Sequence, residues 1–144
     1  MPSFEEYGGF EILKIVSKVF YDKIYKDPWI GKYFAQVSQE HIEKQQVDFM
    51  AEALGGPKAY YGAFVPEAHK HLMISEELFE LREQYLFESF DECNASAALR
   101  ERWLKIDRAF RHAVVKRSPE DCKKRFPTDE IIDFTHLSPK KKAA

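Results

Sequence analysis

Three side chains in this sequence have the type and surroundings to do chemistry: Tyr21, Gln46 and His69. His69 follows Leu54-Gly55-Gly56-Pro57-Lys58-Ala59-Tyr60-Tyr61-Gly62, a loop rich in glycine and tyrosine, and stands at the head of the next apolar run, where it can face inward. A neutral imidazole there carries a lone pair that can bind a metal or take a proton. Tyr21 follows Phe20 at the inward edge of one helical pattern, and Gln46 lies between Ile42 and the pair Phe49 and Met50 on another. Burying a phenol or an amide without a partner costs about 1–3 kcal/mol, so each needs something to bond. From the residues alone two readings stand. Tyr21 and Gln46 bond each other or the backbone and His69 is an ordinary part-buried histidine, or all three face a bound group. Taken singly, each residue favours the first. His71, His41, His112 and His136 are expected at the surface or already hydrogen-bonded.

The elements that must position these groups read as helices. Ile12, Ile15, Val16, Val19, Phe20 and Ile24 recur at helical spacing from Phe10 to Ile24, and Asp27-Pro28 breaks the pattern. Trp29 to Phe34 read as a short helical segment. Ser38 or Gln39 opens a second helix whose inward face is Ile42, Gln46, Phe49, Met50 and Ala53, and Gly55-Gly56 ends it. A short helix is expected over Pro66 to Leu72. Ser75 with Glu76 and Glu77 starts another, striped by Leu78, Phe79, Leu81, Tyr85, Leu86 and Phe90. A last long helix is expected from about Ser96 to Lys116, and no strand pattern occurs.

One domain is expected of 144 residues with 44% hydrophobic side chains. Twenty-two basic and 24 acidic residues leave a net charge of −2, spread along the chain, which provides no field to gather nucleic acid or an anionic membrane. Cys93 and Cys122 lack metal-binding or redox spacing, and no leader or membrane-spanning stretch is seen, so a cytoplasmic protein is expected. Residues 1–118 form the expected domain. Residues 119–144 are an extension whose Phe126, Ile131, Ile132 and Phe134 could pack on it and whose lysine-rich end is expected to be disordered.

Read with its neighbours, His69 gains weight as a haem ligand. Haem needs an imidazole on one side, an apolar slot lined by aromatics, groups for its two carboxylates, and polar groups on the other side to meet a diatomic ligand. Twelve Phe, seven Tyr and two Trp can line such a slot. The ordered set Gly8-Gly9, Phe20-Tyr21, Tyr33-Phe34, Gln46, Leu54-Gly55-Gly56-Pro57, Tyr60, Gly62 and His69 resembles the truncated haemoglobins, most closely their group I, and the register holds from Phe20 to Phe79. The resemblance implies an all-α, two-on-two helical sandwich around haem b, with His69 as the proximal iron ligand. Tyr21 and Gln46 would act on the ligand, because in the family a tyrosine and a glutamine hydrogen-bond bound oxygen. Phe34 would pack against the haem edge, and Ile42, Gln45 and Gln46 would face the pocket. Phe20, Phe49, Met50, Val65, Phe79 and Leu86 would line the slot, with Lys58, Tyr60 and Lys70 near the haem carboxylates.

This chain departs from the pattern in places. Met50 replaces an aromatic proposed in several relatives to gate a ligand tunnel, and His71 and Leu72 replace residues that help bind a carboxylate in some. Arg82 stands where an apolar residue close to haem is usual, so it either reaches a haem carboxylate or marks a slip of register. Gln45 holds the place of a histidine that occupies the sixth iron position in some relatives, and His41 should point away from the iron. The expected function is reversible binding of O2, NO and other diatomic ligands, with nitric oxide dioxygenation to nitrate supported by an electron-donating reductase. The alternative is oxygen storage, delivery or sensing without turnover.

Overall fold

A computed structural model describes residues 1–140. Ser3 caps a first turn, α1 (Phe4–Tyr7), by accepting from the Glu6 N–H while the Glu6 carboxylate accepts from the Ser3 N–H. Gly8 then turns the chain at φ 117°, and a Cβ there would sit 2.6 Å from Ile12 Cγ2, so only glycine permits the turn. It leads into α2 (Gly9–Lys26).

The buried face of α2 is Leu13, Val16, Ser17, Phe20, Tyr21 and Ile24, a strict three-and-four spacing. This corrects the expected stripe: Ile15 is 45% exposed and Val19 half-buried, because Ile15 lies two residues, or about 200°, from Leu13. Asp27 ends the helix, and its carboxylate accepts from the N–H groups of Trp29 and Ile30 and from the Tyr85 hydroxyl. A 3-10 turn follows at Ile30–Phe34.

Ser38 caps α3 (Gln39–Ala53). Its fully buried strip is Val47, Met50 and Ala51, continued by Leu54. Of the expected inward face only Met50 is fully buried; Ile42, Gln46, Phe49 and Ala53 are half-buried, as is Gln45. The helix therefore uses two adjacent faces, one sealed into the core and one left partly open. Gly55 ends it at φ 86°, and a Cβ on Gly56 would lie 2.8 Å from Phe4 Cγ.

The short helix α4 (Val65–His69) is briefer than expected, because the chain after it turns to bond elsewhere. Leu72 bridges to Ile132 and Ile74 to Val115, two isolated pairings that do not amount to a strand among the described residues. Ser75 caps α5 (Glu76–Glu92) and Ser96 caps α6 (Ala97–Ala109). The expected last helix is broken at Phe110, and a turn of helix, α7 (Arg111–Val114), follows.

The architecture is all-α: α2 and α3 pack together, α2 also packs on α5, and α6 joins α5 through the Phe90–Trp103 edge contact at 5.5 Å. This is the two-on-two sandwich, with Phe20, Phe90, Trp103 and Leu13 at its centre. The extension lies on the domain. Trp29 Nε1–H donates to the Phe134 carbonyl at 2.6 Å, Tyr33 accepts from the Phe134 N–H, and the Ile132 and Met73 N–H groups donate to His71 and Ile132 carbonyls. Residues 141–144, where disorder was expected, lie outside the described residues. Among the described residues no helix is long and apolar enough to cross a membrane.

Candidate haem site

His69 ends α4 with its Nδ1 at 2.7 Å from the Val65 carbonyl oxygen. A carbonyl can only accept, so Nδ1 carries the proton and Nε2 keeps its lone pair. Burial pushes the His69 pKa below its ordinary value, with the charges of Arg82 and Lys116 acting the same way against the Val65 bond. The ring is thereby neutral, oriented and able to ligate through Nε2. Lys116 fixes the end of α4, donating to the carbonyls of His69, Leu72 and Val114 at 2.8–3.0 Å. No group of three or more His, Cys, Asp or Glu able to hold a metal occurs among the described residues. Iron held by His69 would accordingly take its other ligands from a macrocycle, as haem supplies them.

Tyr21 is 5% exposed, and burial raises its pKa to about 12. Its hydroxyl makes no hydrogen bond among the described residues, and it is not one of the partnerless atoms sealed from solvent, which are Ser17 Oγ, His71 Nδ1 and Trp103 Nε1. The phenol therefore keeps its hydrogen-bonding capacity unspent within the fold. Its ring is fixed edge-on by Phe20 at 4.9 Å and Phe34 at 6.0 Å. Gln45 and Gln46, half-buried on the open face of α3, likewise make no side-chain hydrogen bond among the described residues. The first of the two readings left by the sequence, in which phenol and amide bond each other or the backbone, is not what the structure holds.

The other residues expected at the site are distributed unevenly. Phe49 packs edge-on against Tyr60 at 5.3 Å and Phe110 at 5.9 Å, while Ile42 leans on the core. Met50 and Leu86 are each 1% exposed, within the core cluster. Phe79 lies under the Arg111 guanidinium at 6.0 Å. The Tyr60 hydroxyl donates to the Ala63 carbonyl, Lys70 pairs with Glu67, and Lys58 is exposed. His71 is buried, not at the surface or satisfied as expected, because the extension covers it; its Nδ1 has no partner. His41, His112 and His136 are exposed.

Arg82 does not slip outward. Its Nη1 donates to both carboxylate oxygens of Asp107, at 2.9 and 2.7 Å, and its guanidinium lies 5.2 Å from the Phe20 ring centroid. Asp107 was not anticipated. An arginine on an apolar stripe was the available signal, since a buried cation calls for an anion on a facing helix. Lys116 left no comparable trace.

These residues fit haem: a neutral imidazole with its second nitrogen free, an unspent phenol, a half-open apolar face on α3, and aromatics around them. A family model described as bacterial-like globin matches residues 3–116. A group 1 truncated hemoglobin of Tetrahymena thermophila is 36% identical over 77 residues, covering 54% of this chain and 64% of its own length. A second, from Mycolicibacterium paratuberculosis, is 32% identical over 78 residues, covering 54% of this chain and 57% of its own. These matches thus span a little under two thirds of the curated relatives. Among solved structures, the Fe(III) form of truncated hemoglobin from Tetrahymena pyriformis aligns with a TM-score of 0.69 and 28% identity, over 79% of this chain and 97% of that one. The hemoglobin of Chloroflexus aurantiacus, at 20% identity and a TM-score of 0.72, shares the fold over 81% of this chain and 100% of its own. The chain belongs to the bacterial-like globin family, in its truncated haemoglobin branch, group I.

Proposed function

We propose that this protein holds haem b through His69 Nε2 and reversibly binds O2 and other diatomic ligands, and that with an external reductase it combines NO and O2 into nitrate. The observation that carries the reading is the buried Tyr21 hydroxyl with no partner among the described residues, together with a histidine whose Nδ1 proton is already committed. Haem supplies iron with a position open to a small ligand. Tyr21 donates a hydrogen bond into that space, and Gln46, half-buried on α3, adds an amide donor. Phe20 and Phe34 hold the phenol in place, and Phe49 packs against Tyr60. Cys93 and Cys122, 29 residues apart, cannot form a closely spaced thioether pair, which supports a non-covalently held haem b.

Nitrate formation balances as NO plus O2 plus one electron, which is why a donor is required. The test is an absorbance spectrum of the purified protein, followed by rapid mixing of its oxygenated form with NO. Stoichiometric nitrate, sustained when a reductant and reductase are added, supports turnover. Oxygen binding with nitrate formation too slow to compete with simple O2 release would leave storage, delivery or sensing. Absence of a haem spectrum after reconstitution would refute both.

A further inference from the structure

The helix that carries His69 has little of its own to hold it in place. It is five residues long, no side chain caps its start, and none of its residues is fully buried. A helix that short is not stable by itself, so its position is set by what grips its ends. The grip falls on the peptides from His69 to Ile74, where every carbonyl accepts a hydrogen bond from outside the run. His69 and Leu72 accept from Lys116 Nζ at 2.9 and 2.8 Å, and Ile74 from the Lys116 N–H at 2.9 Å. Lys70 accepts from the Lys123 N–H at 2.8 Å, His71 from the Ile132 N–H at 2.9 Å, and Met73 from the Tyr33 hydroxyl at 2.7 Å. The Met73 N–H in turn donates to the Ile132 carbonyl at 2.8 Å. The remaining ammonium proton of Lys116 goes to the Val114 carbonyl, so all its donors are spent on backbone.

We propose that residues 116–132 are a strap that positions the proximal histidine: Lys116, Lys123 and Ile132 hold the peptides that follow the His69 imidazole, and so set how firmly His69 binds haem iron. This rests on the haem reading of the site and extends it to a part of the chain outside the shared domain, since Lys123 and Ile132 lie beyond the residues that match the globin family. The strap is itself anchored at its far side, where Phe134 bonds to Trp29 and Tyr33 and Ser138 bonds to Glu77. Two supports then act in series. The Val65 carbonyl orients the imidazole from within α4, and the strap holds the end of α4 against the rest of the fold. Groups that fix a metal-ligating histidine are worth about 10- to 100-fold in metal affinity, and the strap acts through the same ligand.

The experiment compares four full-length proteins: wild type, Lys116→Met, Lys116→Arg and Lys123→Pro. Methionine keeps the length of the lysine stem without its ammonium, and arginine restores donors. Proline at 123 deletes only the N–H that serves Lys70, and Cys122 before it, at φ −79° and ψ 148°, already has the extended backbone that a following proline requires. Three quantities are read: hemin transfer from the ferric holoprotein to an excess of a haem-free acceptor globin, the iron–histidine stretching band in the ferrous Raman spectrum, and urea unfolding of the haem-free chain. Lys116→Met should release hemin about 10-fold faster and shift or broaden the iron–histidine band, with Lys123→Pro changing both in the same direction by less and Lys116→Arg recovering most of the loss. Hemin release and the Raman band unchanged in Lys116→Met and Lys123→Pro would overturn the proposal. Faster release that only tracks lost stability of the haem-free chain, with the band unmoved, would also overturn it, because the strap would then serve the fold alone. Should Lys116→Met fail to fold, Lys123→Pro decides between these outcomes. A wild-type chain that takes up no haem would refute the underlying reading instead, before any variant is compared.

Discussion

Replacing Tyr21 by Phe removes one oxygen atom, and the structure separates what that oxygen does for the fold from what it does for a ligand. The hydroxyl has no protein partner among the described residues, so no buried donor or acceptor there is orphaned by its loss. The ring contacts with Phe20 at 4.9 Å, Phe34 at 6.0 Å and Tyr25 at 6.5 Å are all preserved. Stability of the haem-free chain should therefore change by less than about 0.5 kcal/mol, the range of substitutions that break no contact. A hydrogen bond to a ligand carrying partial negative charge contributes roughly 1.5–3 kcal/mol, so O2 should dissociate about 10- to 100-fold faster. Urea unfolding of the haem-free protein and stopped-flow displacement of O2 by CO measure the two quantities. An unchanged dissociation rate with stability reduced by 1 kcal/mol or more would show that the hydroxyl serves the fold, and would remove Tyr21 from ligand stabilisation.

Gln46→Leu should speed O2 dissociation in the same direction, and a double-mutant cycle with Tyr21→Phe should be non-additive by more than about 0.5 kcal/mol if phenol and amide address one ligand; strict additivity would separate them. Because His41 is exposed while Ile42 and Gln45 occupy the half-open face of α3, the ferrous form should be mainly five-coordinate. A low-spin bis-histidine Raman spectrum lost in His41→Ala would show a rotated helix. Tyr21 and Tyr33 are both raised by burial to about 12, from an ordinary 10.0. The folded state then keeps protons that the unfolded state has lost, so stability is full below pH 10 and falls as pH rises toward 12, by about 3 kcal/mol for each tyrosine. Ultraviolet titration should show these two phenols ionising near pH 12 while the chain stays folded; ionisation near pH 10 in the folded protein would mean that both are solvated.

What the sequence disclosed and what it concealed follow from the range of the interactions involved. Ser38, Ser75 and Gly55-Gly56 act within one turn of themselves, so the bounds of α3 and the start of α5 could be read locally. The rotation of α2 and α3 could not, because Ile15 and Ala53 satisfy the helical period as apolar residues yet the neighbouring elements meet a different stripe. The break at Phe110 has no glycine or proline to announce it; the chain leaves the helix where the Ile74–Val115 and Lys116 contacts claim it. His71 was misplaced for the same reason, since the cover over it comes from Ile132, 61 positions later. As candidates, His69, Tyr21 and Gln46 stood out in the sequence because their polarity conflicts with apolar surroundings. Asp107 and Lys116 were hidden, since a charge in a mixed segment carries no such conflict until its partner is seen.

Haem uptake by His69→Ala, compared with His71→Ala, tests the central claim most directly. Both histidines lie at the same end of α4, but only His69 has its Nδ1 proton committed to the Val65 carbonyl and its Nε2 left for iron. Titrating hemin into each haem-free protein should give a one-to-one complex with wild type and with His71→Ala. His69→Ala should give only weak, readily extracted haem with no proximal-histidine signature in the ferrous Raman spectrum. Equal retention by the two variants, or loss confined to His71→Ala, would contradict the assignment of His69 as the iron ligand and the account built on it.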